Sequence, residues 1–242
     1  MQNASVKVAV DNPHYRITYE PSDKGLVVVA FAGIGLKLGG LQSEEFRTSL
    51  AQHRASDDIS VVYVMDVRRR WYNDGVFEPM ASDINDLLSR LGAQEVVTLG
   101  NSMGGFGAVA FARKLAGCTK AMAFCPQSSV SRAIVPFEDR WKNYRNAIET
   151  WNVEDATREL SDGISYDLFF GADEPIDVRH AERFRAAGAR GLTVHMIEGC
   201  GHNVAQHLKR QQKLGSALHG LIASPSRTGT SGSANEVRAA VD

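Results

Sequence analysis

The sequence predicts an α/β chain: a mostly parallel central sheet with helices on both faces. Two observations carry that expectation. Short runs rich in valine, isoleucine and leucine alternate with longer segments of helical character, the pattern of strands joined by helical crossovers. A glycine-rich turn, Gly100-Asn101-Ser102-Met103-Gly104-Gly105, also falls between one such run, Glu95 to Leu99, and an alanine-rich, proline-free segment, Phe106 to Leu115. The chain has 242 residues, 43% apolar and 23% charged, which is the balance of an ordinary globular chain large enough for one sizeable core.

The elements follow in order. Val6 to Val10, Tyr15 to Tyr19 and Leu26 to Phe31 read as strands, separated by turns at Asn12-Pro13 and at Pro21-Ser22-Asp23-Lys24-Gly25. The third is apolar throughout, as a strand buried on both faces must be. Ala32-Gly33-Ile34-Gly35 ends it, and a helix is expected from about Ser43, with Glu45 and Phe46 in its first turn. Ile59 to Met65 is the next strand; it leads into Asp66-Val67-Arg68-Arg69-Arg70-Trp71-Tyr72-Asn73 at the sheet's C-terminal edge. That run is expected either as a solvated loop or as a cluster holding an anionic group, with Trp71 and Tyr72 as substrate-binding pocket walls.

Met80 to Leu91 carries Ile84, Leu87, Leu88 and Leu91 at helical spacing, with Gly92 to end it. Lys120 to Cys125, Tyr166 to Phe170 and Leu192 to Ile197 are further strands, and a helix is expected from about Val178. A long helix is expected to close the domain near Ala223. Between them, residues 131–161 break the rhythm with proline, charges and the aromatics Phe137, Trp141, Tyr144 and Trp151 on two short helix-like segments. Residues 224–242, interleaving serine, glycine and threonine, read as a flexible tail.

The turn around Ser102 has the form Gly-x-Ser-x-Gly, a sharp bend, or elbow, that lifts a serine hydroxyl clear of the sheet edge. Side chains at Gly100 or Gly104 would collide with the folded backbone, and Gly105 allows close helix packing. A phosphate cradle would need further glycines in another register, or a Lys-Ser/Thr pair, and neither is present. With strand, turn and helix in this order, residues 1–223 resemble the α/β-hydrolase superfamily, and the resemblance implies that fold with residues 131–161 as a small helical lid. Ala32-Gly33-Ile34-Gly35 is similar to the family's His-Gly-x-Gly loop, with Ala32 in place of histidine. That likeness implies an oxyanion hole from the Ile34 and Met103 backbone amides.

A serine hydroxyl needs a base to become a nucleophile, and the base needs a carboxylate to fix its tautomer. The family order is serine, acid, histidine. Among seven histidines, His202 is the base candidate, because it follows a late strand in the glycine-flanked loop Glu198 to Asn203. Asp173, Glu174 and Asp177 all lie in the loop where the acid is expected. Counting back from the following helix favours Asp173. Asp177 is the alternate, with an ordinary explanation as helix N-cap, and the family's Gly-x-x-Asp spacing read strictly selects Glu174.

The implied activity is a serine hydrolase cleaving a carboxylic ester or thioester, with a small-molecule acyl substrate and neither metal nor organic cofactor. An acyltransferase with the same triad is the second reading, and a non-catalytic binding protein on the same fold is the third. A formal net charge of −1 gives no global field for nucleic acid or an anionic membrane surface. No apolar run is long enough to span a bilayer. Cys118, Cys125 and Cys200, odd in number and without ligand spacing, fit free thiols in a reducing, cytoplasmic setting. Cys200 lies near His202 but not on the elbow, so it reads as a buried structural thiol.

Overall fold

The computed structural model describes residues 6–35, 44–56 and 59–223. Ser43, where a helix is expected to begin, and the tail at 224–242 lie outside them. In chain order the elements are β1 (Lys7–Asp11), β2 (Tyr15–Glu20), β3 (Leu26–Phe31), α1 (Arg47–Ser56), β4 (Ser60–Asp66), α2 (Phe77–Arg90), β5 (Glu95–Asn101) and α3 (Met103–Ala112). They continue with β6 (Cys118–Phe124), α4 (Lys142–Arg145), a 3-10 turn (Ala156–Glu159), β7 (Ser165–Gly171), α5 (Pro175–Ala187), β8 (Leu192–Ile197), α6 (Val204–Arg210) and α7 (Leu214–Ala223). The eight strands form one sheet in the order β1-β2-β4-β3-β5-β6-β7-β8. β2 is antiparallel to β1 and β4, and every other pair is parallel.

Strand periodicity explains the two-sided core. Alternate side chains of β3 point to opposite faces. Val27, Val29 and Phe31 join the layer under α2, α3 and α5, while Val28 and Ala30 join the layer under α1, α6 and α7. Ile84, Leu87 and Leu88 of α2 are buried in the first layer, each worth about 1.5–3 kcal/mol relative to exposure. That helix starts at Phe77 rather than Met80, because Pro79 falls in its first turn, where a missing N–H breaks no intrahelical bond. All ten residues of α3 are buried against β3, β5 and β6, as its alanine- and glycine-rich sequence permits.

Three expectations are corrected. The helix expected from about Ser43 begins at Arg47, with Glu45 and Phe46 in the turn before it. The long closing helix is two helices, because Gln212 takes a left-handed conformation (φ 61°) that no continuous right-handed helix accommodates. Of the aromatics at 131–161 only Tyr144 lies on a helix, the short α4; Phe137 and Trp141 are on turns, Trp151 is in irregular chain, and the 3-10 turn carries none.

The close approach of α3 to the sheet depends on glycine. A Cβ at Gly100 would strike the Gly104 carbonyl, and one at Gly104 would strike the Phe31 carbonyl. Gly104→Ala is therefore expected to cost about 3 kcal/mol or more. In a thermal melt that is a fall of about 10 °C in Tm for a chain of this size. An unchanged Tm would contradict the close approach.

Candidate active site

The C-terminal edge of the parallel strands gathers the site. β5 delivers Ser102 in a conformation that L-residues rarely adopt, φ 55° and ψ −118°. Two backbone hydrogen bonds hold the bend: Ser102 N–H to the Phe124 carbonyl (2.8 Å) and Phe106 N–H to the Ser102 carbonyl (3.0 Å). Met103 opens α3, so its N–H has no acceptor within the helix and lies at the positive end of the helix dipole.

β8 delivers His202. Its Nε2 lies 2.9 Å from Ser102 Oγ, and its Nδ1 lies 2.8 Å and 3.0 Å from the two carboxylate oxygens of Asp177. The carboxylate that meets His202 is therefore Asp177, not Asp173. The reason is where α5 begins. Glu174 is the N-cap, its carboxylate accepting from the Ile176 N–H (3.3 Å), and Pro175 is the first helical residue. Asp177 thus falls inside the first turn, buried and facing His202, while Asp173 stays exposed in the preceding turn.

Burial pushes the Asp177 carboxyl up, but the hydrogen bond and charge of His202 and the Arg140 guanidinium outweigh it and hold the group below its ordinary value. Sequence reasoning missed Arg140. Its Nη1 donates to Asp177 (2.9 Å) and lies 3.0 Å from His202 Nδ1, while its Nη2 donates to Glu138 (2.7 Å). Glu138 is buried; burial alone would raise its carboxyl, yet hydrogen bonds from His180 and Arg140 bring it down to about 2. Ser128 N–H donates to His180 Nδ1 (3.1 Å), so Nε2 carries the proton that faces Glu138 at 3.1 Å. The 131–161 segment is tied to Asp177 by charge.

Beside Ser102 lies a cavity of about 440 Å³. Ile34, Glu45, Trp141, His202 and Gln206 are among its walls. Trp71 and Tyr72 are not: both are fully buried in the core. The Asp66 carboxylate accepts from the backbone N–H groups of Arg68 (3.0 Å), Arg70 (2.6 Å) and Tyr72 (2.9 Å), curling the loop and turning both rings inward. Tyr72 Oη then donates to the Ala32 carbonyl (2.9 Å) and Trp71 Nε1 to Gln127 Oε1 (3.1 Å). The arginines are engaged elsewhere: Arg68 donates to the Asp74 carbonyl (3.1 Å), and Arg69 lies over the Tyr144 ring at 5.2 Å. Among the described residues none of the three lines the cavity.

Glu45, also missed, accepts from the Gly33 N–H and so ties down the loop that carries Ile34. Burial raises its carboxyl from 4.5 to about 8. Between those values the folded chain keeps a proton that the unfolded chain has released, so this group makes stability fall as pH rises through that window. Glu45→Gln keeps an acceptor for Gly33 and removes the titration. Thermal melts should therefore show the variant gaining on the wild type from about pH 5 to about pH 8. A constant difference would contradict the buried protonated acid.

Cys125 Sγ, Asp177 and His202 have donor atoms within 4.8 Å of one another. Burial raises the Cys125 thiol well above its ordinary value, and Asp177 and His202 are already bonded to each other. A protonated thiol beside a carboxylate and an imidazole that already pair with each other makes a poor ligand set. Burial likewise raises Cys200, and its Sγ faces the Gly201 carbonyl. Among the described residues, no helix is long and apolar enough to cross a membrane.

No protein-family model and no curated protein sequence matches the chain. Solved structures resemble it at low identity. The 2,6-dihydroxy-pseudo-oxynicotine hydrolase is 13% identical with a TM-score of 0.63, over 94% of this chain and 70% of that one. Esterase LipW from Mycobacterium marinum is 17% identical with a TM-score of 0.62, over 90% and 81%. The capsule O-acetyltransferase of Neisseria meningitidis serogroup A is 11% identical with a TM-score of 0.58, over 89% and 97%. Together with the sheet order and the strained serine between β5 and α3, these likenesses establish that the chain has the α/β-hydrolase fold.

Proposed function

We propose that the chain is a serine hydrolase that cleaves a carboxylic ester or thioester through an acyl-enzyme on Ser102. The observation that carries the reading is the unbroken line from Asp177 through His202 to Ser102 Oγ, at 2.8 Å and 2.9 Å. Asp177 accepts the Nδ1 proton of His202, which leaves Nε2 free to act as base. His202 takes the Ser102 proton as Oγ bonds to the substrate carbonyl carbon. The amides of Met103 and Ile34 receive the oxyanion. Collapse expels the leaving group with the proton from His202; water, activated by the same base, then releases the acid.

Residues 131–161 roof the cavity in this reading, with Trp141 as the wall they contribute. A second reading, transfer of the acyl group to an alcohol or amine, is supported by the fold shared with a capsule O-acetyltransferase. Turnover of a panel of p-nitrophenyl esters and acyl thioesters, by the wild type and Ser102→Ala, tests the reading. Ser102-dependent hydrolysis supports it. Product that forms only with an added acceptor favours transfer, and inertness of the folded protein toward the whole panel favours a binding protein.

A further inference from the structure

We propose that Gln127 is a further catalytic residue, acting directly on the nucleophile's oxygen, and that Trp71 is its positioning residue. The proposal rests on the reading of Ser102 as nucleophile. Gln127 follows β6, the parallel neighbour of β5, so it emerges at the sheet edge beside the elbow. It is fully buried. Its Nε2 donates to Ser102 Oγ at 3.1 Å, and its Oε1 accepts from Trp71 Nε1 at 3.1 Å.

The indole N–H can only donate, so the atom facing it must be the amide oxygen. The amide therefore has one orientation, with its NH2 toward Ser102. Ser102 Oγ has one proton and two lone pairs. With Gln127 donating to one lone pair and unable to accept, the hydroxyl proton is directed to the acceptor that remains within reach, His202 Nε2 at 2.9 Å. As that proton moves to Nε2, the Oγ electron pair forms the bond to carbon and the carbonyl π pair moves onto the carbonyl oxygen. Negative charge develops on Oγ on the way, and a charge-assisted hydrogen bond from Gln127 strengthens with it. In deacylation the same N–H holds Oγ as the C–Oγ bond breaks and His202 returns a proton to it.

The test is the second-order rate of labelling by a fluorophosphonate, in which Oγ–P forms, P–F breaks, fluoride leaves and the serine proton passes to His202. It is measured alongside thermal melts for Gln127→Met, Trp71→Phe and the double variant. The wild type should label at Ser102. Gln127→Met, similar in size but without a donor, should label about tenfold or more slowly. Trp71→Phe should also slow labelling, because the amide is then free to turn its oxygen toward the serine. In the double variant Trp71→Phe should add no further slowing, although it still changes the melt. A purely structural role would move the melt and leave the rates alone. Gln127→Met labelling at the wild-type rate, or the two effects multiplying in the double variant, overturns the proposal while the Ser102 reading stands. Should Gln127→Met not fold, Gln127→Glu, an acceptor of the same shape, is expected to slow labelling likewise and decides in the same way. A wild type that does not label at Ser102 removes the reading and the Gln127 assignment with it.

Discussion

Ser102→Ala is expected to lower turnover of any ester the wild type cleaves by about 10⁶-fold, to the level that binding in the cavity and the proposed oxyanion donors would sustain without a nucleophile. The substitution leaves the bend in place. Alanine keeps the Cβ, and the hydrogen bonds that hold the elbow, from Ser102 N–H to Phe124 and from Phe106 N–H to the residue 102 carbonyl, are backbone to backbone. What is lost is the one group at 2.9 Å from His202 Nε2 that can be deprotonated there. A folded protein whose melt falls by only a few degrees, because buried Gln127 loses the acceptor for its N–H, with turnover gone, is the expected pair of results. Retention of most of the activity would mean that another group attacks.

The second large effect separates the two aspartates. Asp177→Asn should cost about 10⁴-fold in kcat with the fold retained, because the amide fits the same space but presents an N–H where Nδ1 needs an acceptor. His202 then turns to the other tautomer, with its proton on Nε2, and cannot take the one on Ser102. Arg140 loses a charged acceptor in the same change, which adds to the cost. Asp173→Asn, in the exposed turn before α5, should change kcat by no more than about twofold. Equal losses in both variants would contradict the assignment of Asp177.

The elbow was legible because its demands are local: a strand, a turn that needs glycine at fixed offsets, and a helix, all within about twenty residues of sequence. The sheet was legible for a similar reason, since β3 and β4, buried along nearly their whole length, are apolar along nearly their whole length. The place of His202 beside Ser102 was legible from the same kind of evidence, a glycine-flanked loop after a late strand. The carboxylate beside His202 was expected at Asp173, with Asp177 the alternate, and the structure puts Asp177 there because which one meets the histidine depends on where α5 starts. Glu174 rather than Asp177 takes the N-cap, and that choice frees Asp177 to face the histidine.

Trp71 and Tyr72 were misread for a different reason. Aromatic residues at a sheet edge are plausible pocket walls, and only the curling of their loop around Asp66 turns them inward. Gln127, Arg140 and Glu45 were not singled out as site residues, since each acquires its setting from a partner on a different segment that only the folded chain brings near: Ser102, Asp177 and Gly33. For Gln127 one signal was available. It follows the strand that neighbours β5 at the same edge, where a polar residue comes within reach of Ser102.

The measurement that tests the central claim most directly is labelling of the purified protein with a fluorophosphonate, followed by peptide mapping of the modified residue. The account predicts a single adduct on Ser102, absent in Ser102→Ala and strongly slowed in His202→Ala and Asp177→Asn. A well-folded wild type that takes no label, or takes it at another residue, would contradict an activated serine at the elbow.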